Sequence, residues 1–437
     1  MDTTPKHRLL MLTYEFPPAG GGGVQRMAKF ARYLPEFGWT PIVVTADSIP
    51  GRPTDPSLVE EVRDVEVIRV PSRHISSMVA RAIAPLKVLR RPRTKAGRPS
   101  AQQSGTGGPP VSTRIARRLA MDDASLWVGP AVRAAVSAAR AQGCDAVLAT
   151  GPPFSVTIAG ARVAAELGVP LVVDLRDAWR GNPSAWFPNA SARARSEAAE
   201  AVTLAAADAV TATTPSIVAE ALDMGAKGAF FVPNGFDPSD LSPWSPDPSG
   251  PLRLAFMGKM YGMTEPWVLM DALKRLHETR PDVRIELDVV GDAPAEMQET
   301  IRSMGVEARF AGYLAHAEAV RRVALADVGL VLIADIEGGD SYVPGKVYEY
   351  LGIGMPILAI VPEFGEAARL VREAGAGWVV APTDAYAMVT LLGRLAEQKR
   401  DGAMVRTGPD QAVIDRFDRR EQSRCLAQLL DEVRHRG

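Results

Sequence analysis

Short apolar runs alternate with helical patterns along almost the whole chain. One series of runs extends from "RLLMLTY" to "AFFVPNG", and a second series extends from "LRLAFMGK" to "GWVVAP". A stretch rich in Pro, Ser and Asp at residues 237–251 separates the two series. The runs lack polar alternation, which is typical of parallel strands that helices cover on both faces. The sequence therefore predicts two doubly wound α/β domains in tandem, with ligands bound at the carboxyl ends of the strands.

Composition and charge limit the class of protein and its partners. The chain has 437 residues, of which 46% are hydrophobic, enough to build two ordinary cores. Lys and Arg number 50 against 51 Asp and Glu, and the net charge of -1 gives no reason to expect nucleic acid as a partner. The cysteines, Cys144 and Cys425, are far apart, which argues against a disulfide scaffold or a cysteine zinc site. No apolar run approaches the roughly 18 residues of a membrane span, and the first is too short for a secretory signal, so we expect a cytoplasmic protein.

A run of four glycines stands between the first strand and the first helical pattern, in "PPAGGGGVQRMAKFARYL" at residues 17–34. Glycine loses more conformational entropy on folding than other residues, so such a run marks a sharp bend or a close approach to a ligand. A Gly-x-Gly-x-x-Gly pattern fails at Gln25, although Asp47 could still bind a ribose, and a P-loop fails because the Gly-Lys pairs precede Met260 and Val347. Two interpretations stay open: a flexible hinge, or a cradle of free N–H groups for a phosphate.

The second series of strands contains a stronger candidate for a phosphate site. "SYVPGKVYEYLGIGMPILAI" at residues 341–360 places Gly345 and Lys346 at the start of a short helix, where N–H groups, the helix dipole and a point charge act together. Glu349, one turn later, can accept hydrogen bonds from both hydroxyls of a ribose. Gly258 and Lys259 end the first strand of this series, where a ligand is expected. Ordinary surface lysines and a solvated glutamate are the alternative interpretation.

The sequence contains no convincing metal site. The five histidines lack metal-ligand spacing, and no Asp-x-Asp motif occurs. Asp177 in "DLRDAW" ends a strand at the expected ligand-binding edge. It is either a functional carboxylate or an ion-pair partner of Arg176, and the sequence does not favour one of these over the other.

The ordered set of motifs resembles the family-4 retaining glycosyltransferases of the GT-B fold. The motifs are "EFPPAGGGGVQRMAKFARYLPEFGWTPIVVT", "TGPPFS", "DLRDAW", "VPNGFD" and "KVYEYLGIGMPILA", and they cover nearly the whole chain except roughly residues 72–112. The resemblance implies two Rossmann-like domains that face each other across a cleft. It also implies a nucleotide-diphosphate sugar as co-substrate, no cofactor and no metal, and a hydroxyl acceptor such as a saccharide, a lipid-linked glycan or a small metabolite.

The resemblance also assigns roles to individual residues. Lys259, Lys346 and Asp177 are expected to act in catalysis. Arg26 and Asp122 are expected on the acceptor side. The expected donor-binding residues are Gly21, Gly22, Gly23, Gly258, Gly291, Tyr313, Ser341, Val343, Pro344, Gly345 and Glu349.

Two positions depart from the family pattern. The family signature has two glutamates separated by seven residues; the second is Glu349, but Ser341 occupies the first position. A second basic residue is expected five positions after Lys259, where this chain has Thr264. We infer that Lys346 supplies the missing charge. Two alternatives stay open: a nucleotide-sugar epimerase of the GT-B fold, and, because of the two departures, a catalytically silent partner that binds a sugar nucleotide.

The predicted organisation includes a basic insertion. The predicted segments are an N-terminal acceptor-side domain at 1–238, a linker at 239–251, a nucleotide-sugar-binding domain at 252–413, and a C-terminal helix at 414–437 that returns to the N-terminal domain. The insertion, residues 72–112, contains no acidic residue and is predicted to be partly disordered. Residues 72–98 mix cations with apolar side chains, which fits either a mobile acceptor loop or peripheral contact with the inner face of a membrane.

Overall fold

The computed structural model describes residues 7–88, 111–182, 187–403 and 405–436. The chain divides into two compact units. The first unit comprises the residues up to Thr213, Ile217–Phe231 and the residues from Ser423 onward. The second unit comprises Thr214–Ser216 and Val232–Gln422.

The first unit is built on a parallel sheet with helices on both faces. Its strands are β1 His7–Leu12, β2 Trp39–Ala46, β3 Glu66–Val70, β4 Ala146–Gly151, β5 Leu171–Leu175, β6 Ala209–Ala212 and β7 Ala229–Phe231. Their order in the sheet is β3-β2-β1-β4-β5-β6-β7, and all neighbours are parallel. The order therefore reverses between β1 and β4, the kind of position where open α/β sheets bind ligands.

Helices connect these strands. They are α1 Gly22–Tyr33, α2 Ser57–Glu61, α3 Ile75–Val88, α4 Val111–Leu119, α5 Val128–Gln142, α6 Ser155–Leu167, α7 Ala190–Ala206 and α8 Pro215–Asp223. Local sequence sets their ends: Gly168 stops α6 in a left-handed conformation with φ of 67°, and the Asn189 side chain accepts a hydrogen bond from the Ala192 N–H at the start of α7.

The second unit repeats the architecture. Its strands are β8 Leu252–Met257, β9 Ile285–Val290, β10 Glu307–Gly312, β11 Val328–Leu332, β12 Ile357–Ile360 and β13 Gly377–Val380. Its helices are α9 Trp267–Thr279, α10 Ala295–Ser303, α11 His316–Val323, α12 Gly345–Ile353, α13 Glu366–Glu373, α14 Ala385–Arg400 and α15 Gln411–Asp415. The strand order is β10-β9-β8-β11-β12-β13, so the order reverses between β8 and β11. Two parallel α/β domains are present, as the sequence predicts.

The cores explain why the apolar runs lacked alternation. Successive residues Leu9 and Leu10 of β1 are both buried although their side chains point to opposite faces of the sheet. In the second unit, Phe256 and Met257 of β8 are likewise buried in separate apolar clusters on the two faces. Helices on both sides therefore exclude water from the central strands.

The last helix, α16 Arg419–Arg436, begins in the second unit and continues in the first. In the second unit, the segment just before α16 is hydrogen-bonded to Phe236, whose N–H donates to the Phe417 carbonyl at 3.0 Å. In the first unit, the Trp39 indole N–H donates to Asp431 Oδ1 at 3.1 Å.

In its described residues, the basic insertion contains α3 and the first two residues of α4. α3 and α4 lie against each other, and residues 89–110, where the sequence predicts disorder, lie outside the described residues. Among the helices in the described ranges, none has the combination of length and apolar character needed to cross a bilayer.

Candidate functional site

The carboxyl end of β8 forms a tight backbone corner in the second unit. Gly258 has φ of 114°, a conformation that favours glycine, and its N–H donates to the Val290 carbonyl at 2.8 Å. Its carbonyl accepts from the Asp292 N–H at 3.1 Å. A Cβ added at Gly291 would lie 2.1 Å from the Gly258 carbonyl oxygen. Gly291 is therefore required by the close approach of two backbone segments, and Gly258 by its positive φ.

Lys346, in the first turn of α12, reaches the same corner. Its Nζ lies 3.9 Å from the centroid of the Phe256 ring. A Cβ added at Gly258 would lie 3.7 Å from this Nζ. Burial lowers the pKa of Lys346 to about 7, and the nearby Glu349 opposes the shift only in part. The amine is therefore a partly desolvated group at a helix N-terminus, where an anion would restore its charge.

Glu349 lies one turn further along α12. Its Oε1 is 3.5 Å from Nε2 of His316, the first residue of α11. Burial raises the pKa of Glu349, and the charges of His316 and Arg419 oppose the rise. A carboxylate that is largely shielded from water, with its oxygens on the same helix as Lys346, is suited to accept hydrogen bonds from a diol.

The loop after β8 holds Lys259 and accounts for Thr264. Lys259 is exposed, with its Nζ 5.9 Å from the centroid of the Tyr261 ring. Thr264 Oγ1 bonds to the Lys259 carbonyl at 2.5 Å and accepts from the Tyr261 N–H at 3.2 Å. Thr264 therefore closes the turn that carries Lys259.

The remaining predicted donor residues of the second unit fall into two groups. Ser341 lies in the loop after β11, where its hydroxyl donates to the Gly338 carbonyl at 3.0 Å. Val343 and Pro344 are buried beside it and lead directly into Gly345. Tyr313 follows β10 and is exposed; the preceding residue, Gly312, forms an isolated bridge with Gly291.

In the first unit, the three predicted loop glycines have different surroundings. Gly21 has φ of 114° and precedes α1 without a side-chain cap, so the first N–H groups of the helix have no capping side chain. A Cβ added at Gly22 would meet nothing within 4 Å. A Cβ added at Gly23 would lie 2.4 Å from Nη1 of Arg176. Gly23 is thus required by internal packing, whereas Gly21 and Gly22 leave space.

Arg176, which follows β5, ties two loops of the first unit together. Its Nη1 donates to the Gly23 carbonyl at 2.7 Å, and its Nη2 donates to the Pro152 carbonyl. Burial lowers the pKa of Arg176, opposed by the charges of Glu15 and Asp177. Burial raises the pKa of Asp177. Within the described residues, the Arg176 guanidinium donates to these two carbonyls and makes no close ion pair with Asp177, although the charge of Arg176 opposes the rise in the pKa of Asp177.

Two residues expected on the acceptor side have structural roles instead. Arg26 is 0% exposed and makes a two-pronged ion pair with Asp174, at 2.7 and 3.1 Å. The hydroxyls of Thr150 and Thr211 donate to the same carboxylate. Burial alone raises the pKa of Asp174, but the Arg26 charge and these hydrogen bonds outweigh it and leave the pKa lowered. The placement of Arg26 on the acceptor side was therefore wrong, because no substrate can reach its guanidinium.

Asp122 is also engaged within the protein. Its Oδ2 accepts from the Ser155 N–H at 2.9 Å, and its Oδ1 accepts from the Ala124 N–H at 3.0 Å and from the Ser155 hydroxyl. The carboxylate thus satisfies the first N–H of α6, and a direct contact with an acceptor is not supported.

The structure also shows a polar pair, not identified from the sequence, at the carboxyl end of the strands of the first unit. The Tyr14 hydroxyl, after β1, lies 3.2 Å from Nε2 of His74, after β3. The neighbouring Asp123 accepts from the Ser76 N–H at 3.1 Å. His74 lacked metal-ligand spacing, and no pattern in the sequence links it to a tyrosine 60 residues earlier.

Comparisons with known proteins match both halves of the chain. Residues 21–235 match the family described as "Glycosyl transferase 4-like domain", and residues 251–398 match "Glycosyl transferases group 1". "Probable glycosyltransferase WbjE" of Pseudomonas aeruginosa is 29% identical over 126 residues, 28% of this chain and 31% of that relative. The chain therefore aligns with less than a third of the length of that relative.

Solved structures share the fold over nearly the whole chain. Sucrose-phosphate synthase from Thermosynechococcus elongatus superposes with a TM-score of 0.66 at 15% identity, covering 99% of this chain and 100% of that one. A glycosyltransferase from Rickettsia africae ESF-5 gives 0.60 at 13% identity, with 98% of each chain covered. At this identity the likeness concerns the fold alone. With two successive glycosyltransferase domains on this fold, the chain belongs to the glycosyltransferases of the GT-B type.

Proposed function

We propose that the protein transfers a sugar from a nucleotide-diphosphate donor to a hydroxyl group of an acceptor, with retention of configuration and without a resident metal ion. The observation that carries this proposal is the amine of Lys346, held at the N-terminus of α12 and 3.9 Å from the Phe256 ring. Free N–H groups, the helix dipole and a lysine converge there at the carboxyl end of β8, an arrangement suited to a diphosphate.

The proposed chemistry is a front-face displacement. The bond between the anomeric carbon and the β-phosphate oxygen breaks, and the negative charge on that oxygen is stabilised by Lys346 and Lys259. The acceptor oxygen forms its bond to the anomeric carbon on the same face, and its proton passes to the departing phosphate oxygen. Asp177, whose carboxylate makes no ion pair within the described ranges, would hydrogen-bond the acceptor. The positive charges of the two lysines would take the place of a metal cation in stabilising the leaving diphosphate.

The decisive experiment screens nucleotide sugars by thermal shift and then follows transfer by NMR, which reads the anomeric configuration of the product. We expect stabilisation by one donor class, transfer with retention, and the same rate in EDTA. Conversion of the donor sugar without an acceptor would instead identify an epimerase. Inversion of configuration would contradict the proposed mechanism, and loss of activity in EDTA would contradict metal independence.

A catalytically silent binding partner is the second candidate. Its support is that the Ser341 hydroxyl is engaged with the Gly338 carbonyl and that Thr264 closes a turn, so neither position supplies a charge. Donor hydrolysis or sugar transfer by the purified protein would exclude it.

Glu349→Gln is expected to weaken binding of nucleoside diphosphates and of the intact donor by about 1–3 kcal/mol, the cost of disturbing a charged hydrogen bond. The substitution keeps the size of the side chain but replaces an acceptor oxygen by a donor. Isothermal calorimetry with UDP and GDP measures the effect. Glu318→Gln, an exposed position on α11, is the matched control. Normal nucleotide affinity with lost turnover would show that Glu349 acts in catalysis and not on the ribose.

The acceptor is proposed to be lipid-linked, with α3 and α4 in contact with an anionic membrane surface. Exposed arginines on or beside these helices include Arg73, Arg81, Arg114 and Arg118. Two apolar side chains on the same helices are also exposed, Met78 at 48% and Val111 at 54%. Cations beside exposed apolar groups are typical of an interfacial segment.

The protein is expected to sediment with phosphatidylglycerol vesicles at low salt and to stay in the supernatant at high salt. Each basic residue near an anionic surface contributes about 1 kcal/mol, and exposed charges are screened over about 8–10 Å at physiological ionic strength. Exchanging Arg81 and Arg114 for Glu should abolish sedimentation, whereas Lys274→Glu, on the exposed face of α9, should not. Protein that never leaves the supernatant would favour a mobile loop and a soluble acceptor.

A further inference from the structure

α12 carries a second buried polar group that the proposed chemistry leaves unused, the phenol of Tyr350. Its side chain is 0% exposed. The hydroxyl accepts from the Met257 N–H at 3.0 Å and donates to the Ala255 carbonyl at 3.4 Å. Both partners are backbone groups of β8. The side chain of a tyrosine is thus hydrogen-bonded to the backbone of a central strand.

These two backbone groups face β11. The N–H groups of Leu252 and Gly258 point the other way and donate to carbonyls of the β9 side, Arg284 and Val290, at 3.0 and 2.8 Å. Because N–H groups alternate in direction along a strand, the Met257 N–H points towards β11. In a continuous parallel ladder, the next residues of β11 would bond to it.

The ladder between β8 and β11 stops early. β8 pairs with β9 along its whole length, from Leu252 to Met257. With β11 it pairs only at Leu254 and Ala255, although β11 continues beside β12 as far as Leu332. Beyond Ala255 the two strands part, and the Tyr350 hydroxyl satisfies the Met257 N–H of β8, which would otherwise be buried without a partner.

The ring of Tyr350 packs over Gly329 of β11, beside the gap where β8 and β11 part. A Cβ added at Gly329 of β11 would lie 2.6 Å from the ring. Glycine at this position therefore makes room for the aromatic side chain. The gap lies where the strand order of the sheet reverses, directly before the Gly258 corner, and Lys346 stands one turn before Tyr350 on the same helix.

We propose that Tyr350 is a positioning residue of the diphosphate site, with its hydroxyl replacing strand-to-strand hydrogen bonds so that β8 and β11 stay apart. The same contact joins α12 to the end of β8 and so fixes the Lys346 amine relative to Gly258. This inference rests on the proposed function, because it assigns Tyr350 to a site whose ligand is a diphosphate.

The test compares Tyr350→Phe with wild-type protein by calorimetric titration of the glucose esters of UDP, GDP, ADP and dTDP between pH 6 and 9, because their diphosphates have no group that titrates in this range. The variant keeps the ring but leaves the buried Met257 N–H of β8 unpaired, so we expect the nucleotide that wild-type protein binds to bind about fivefold more weakly or worse. The pH midpoint of binding, set by the Lys346 amine, should also move upward as a loosened corner admits water. A residue that only supports the fold would lower the melting temperature without moving this midpoint.

Two further variants complete the design. Tyr348→Phe is the matched control, since Tyr348 stands on the same helix with its ring 5.1 Å from that of Phe417. Gly329→Ala displaces the Tyr350 ring without removing the hydroxyl, and it decides the question if Tyr350→Phe does not fold. Unchanged affinity and midpoint, or the same changes in Tyr348→Phe, would overturn the inference. If wild-type protein binds none of the four nucleotides, the proposed function itself fails.

Discussion

Gly22→Val is expected to leave thermal unfolding unchanged and to reduce sugar transfer by more than about 100-fold, the scale of loss when a reacting group is displaced by about 1 Å. A Cβ at Gly22 would meet nothing within 4 Å in the protein, so the fold has room for the side chain. The free N–H groups at the start of α1 are the proposed contact for the donor phosphates, and a valine there would keep the phosphates away. Nucleotide binding should be largely retained, because the second unit supplies most of the proposed donor contacts.

Gly23→Val provides the contrast. Its Cβ would lie 2.4 Å from Nη1 of Arg176, so a buried guanidinium would have to move and lose its bond to the Gly23 carbonyl. We expect this variant to lose transfer and also about 1–3 kcal/mol of folding free energy, the usual cost of overpacking. Scanning calorimetry and a transfer assay on both variants, with Gly129→Val on α5 as control, separate the two effects. Full activity of Gly22→Val would refute the cradle, and partial activity with slower closure would indicate a hinge.

Lys346→Ala is expected to weaken binding of the nucleotide-sugar donor by about 1.5–3 kcal/mol at pH 6, the range for a hydrogen bond to a charged group. Lys259→Ala should have a similar effect if its exposed amine also contacts the diphosphate. Isothermal calorimetry measures both losses. Unchanged affinity in either variant would remove that lysine from the site.

The affinity of wild-type protein should also depend on pH. The pKa of Lys346 is about 7 without ligand, and the anionic diphosphate binds the protonated amine. Below that pH the amine already carries its charge. Above it, binding must take up a proton, so affinity falls by up to about tenfold per pH unit. A nucleotide sugar is the suitable probe, because its diphosphate has no group that titrates in this range.

Lys346→Ala also serves as the control for this pH dependence, because it removes the titrating amine. The groups that face the amine electrostatically are Glu349 and, through it, His316. If the variant retains the pH dependence of wild-type protein, the assignment of that dependence to the Lys346 amine is wrong. A flat profile in the variant together with proton uptake by wild-type protein would support the assignment to Lys346.

The fold could be predicted from sequence because the strands are buried on both faces. Leu9 and Leu10 face opposite sides of the first sheet, and both are apolar. This removes the alternation of a half-buried strand and indicates a parallel sheet. The same reasoning predicts a ligand-binding edge at the carboxyl ends of the strands, and Gly258 and Lys346 lie together there although they are far apart in the chain.

The errors in the predicted site have a common cause, which is that pairing partners are distant in sequence. The sequence places Arg26, early in an amphipathic helix, on the acceptor side, but Asp174 pairs with it from 148 residues away. The role of Tyr350 depends on the early separation of β8 and β11, and no local pattern encodes that separation. From the sequence alone, Tyr350 cannot be distinguished from the other apolar residues of α12.

The path of α16 has a consequence for hybrid enzymes. The chain leaves the first unit after Phe231 and re-enters it at Ser423, so the second unit is an insertion within the first, apart from Thr214–Ser216. Residues 232–422 can therefore be exchanged between relatives as one contiguous cassette, with both ends of the recipient intact. Joining an N-terminal half to a foreign C-terminal half would instead deprive Trp39 of its partner Asp431. Because the second unit is the proposed donor-binding unit, we expect an exchange of residues 232–422 to change the preference for the donor.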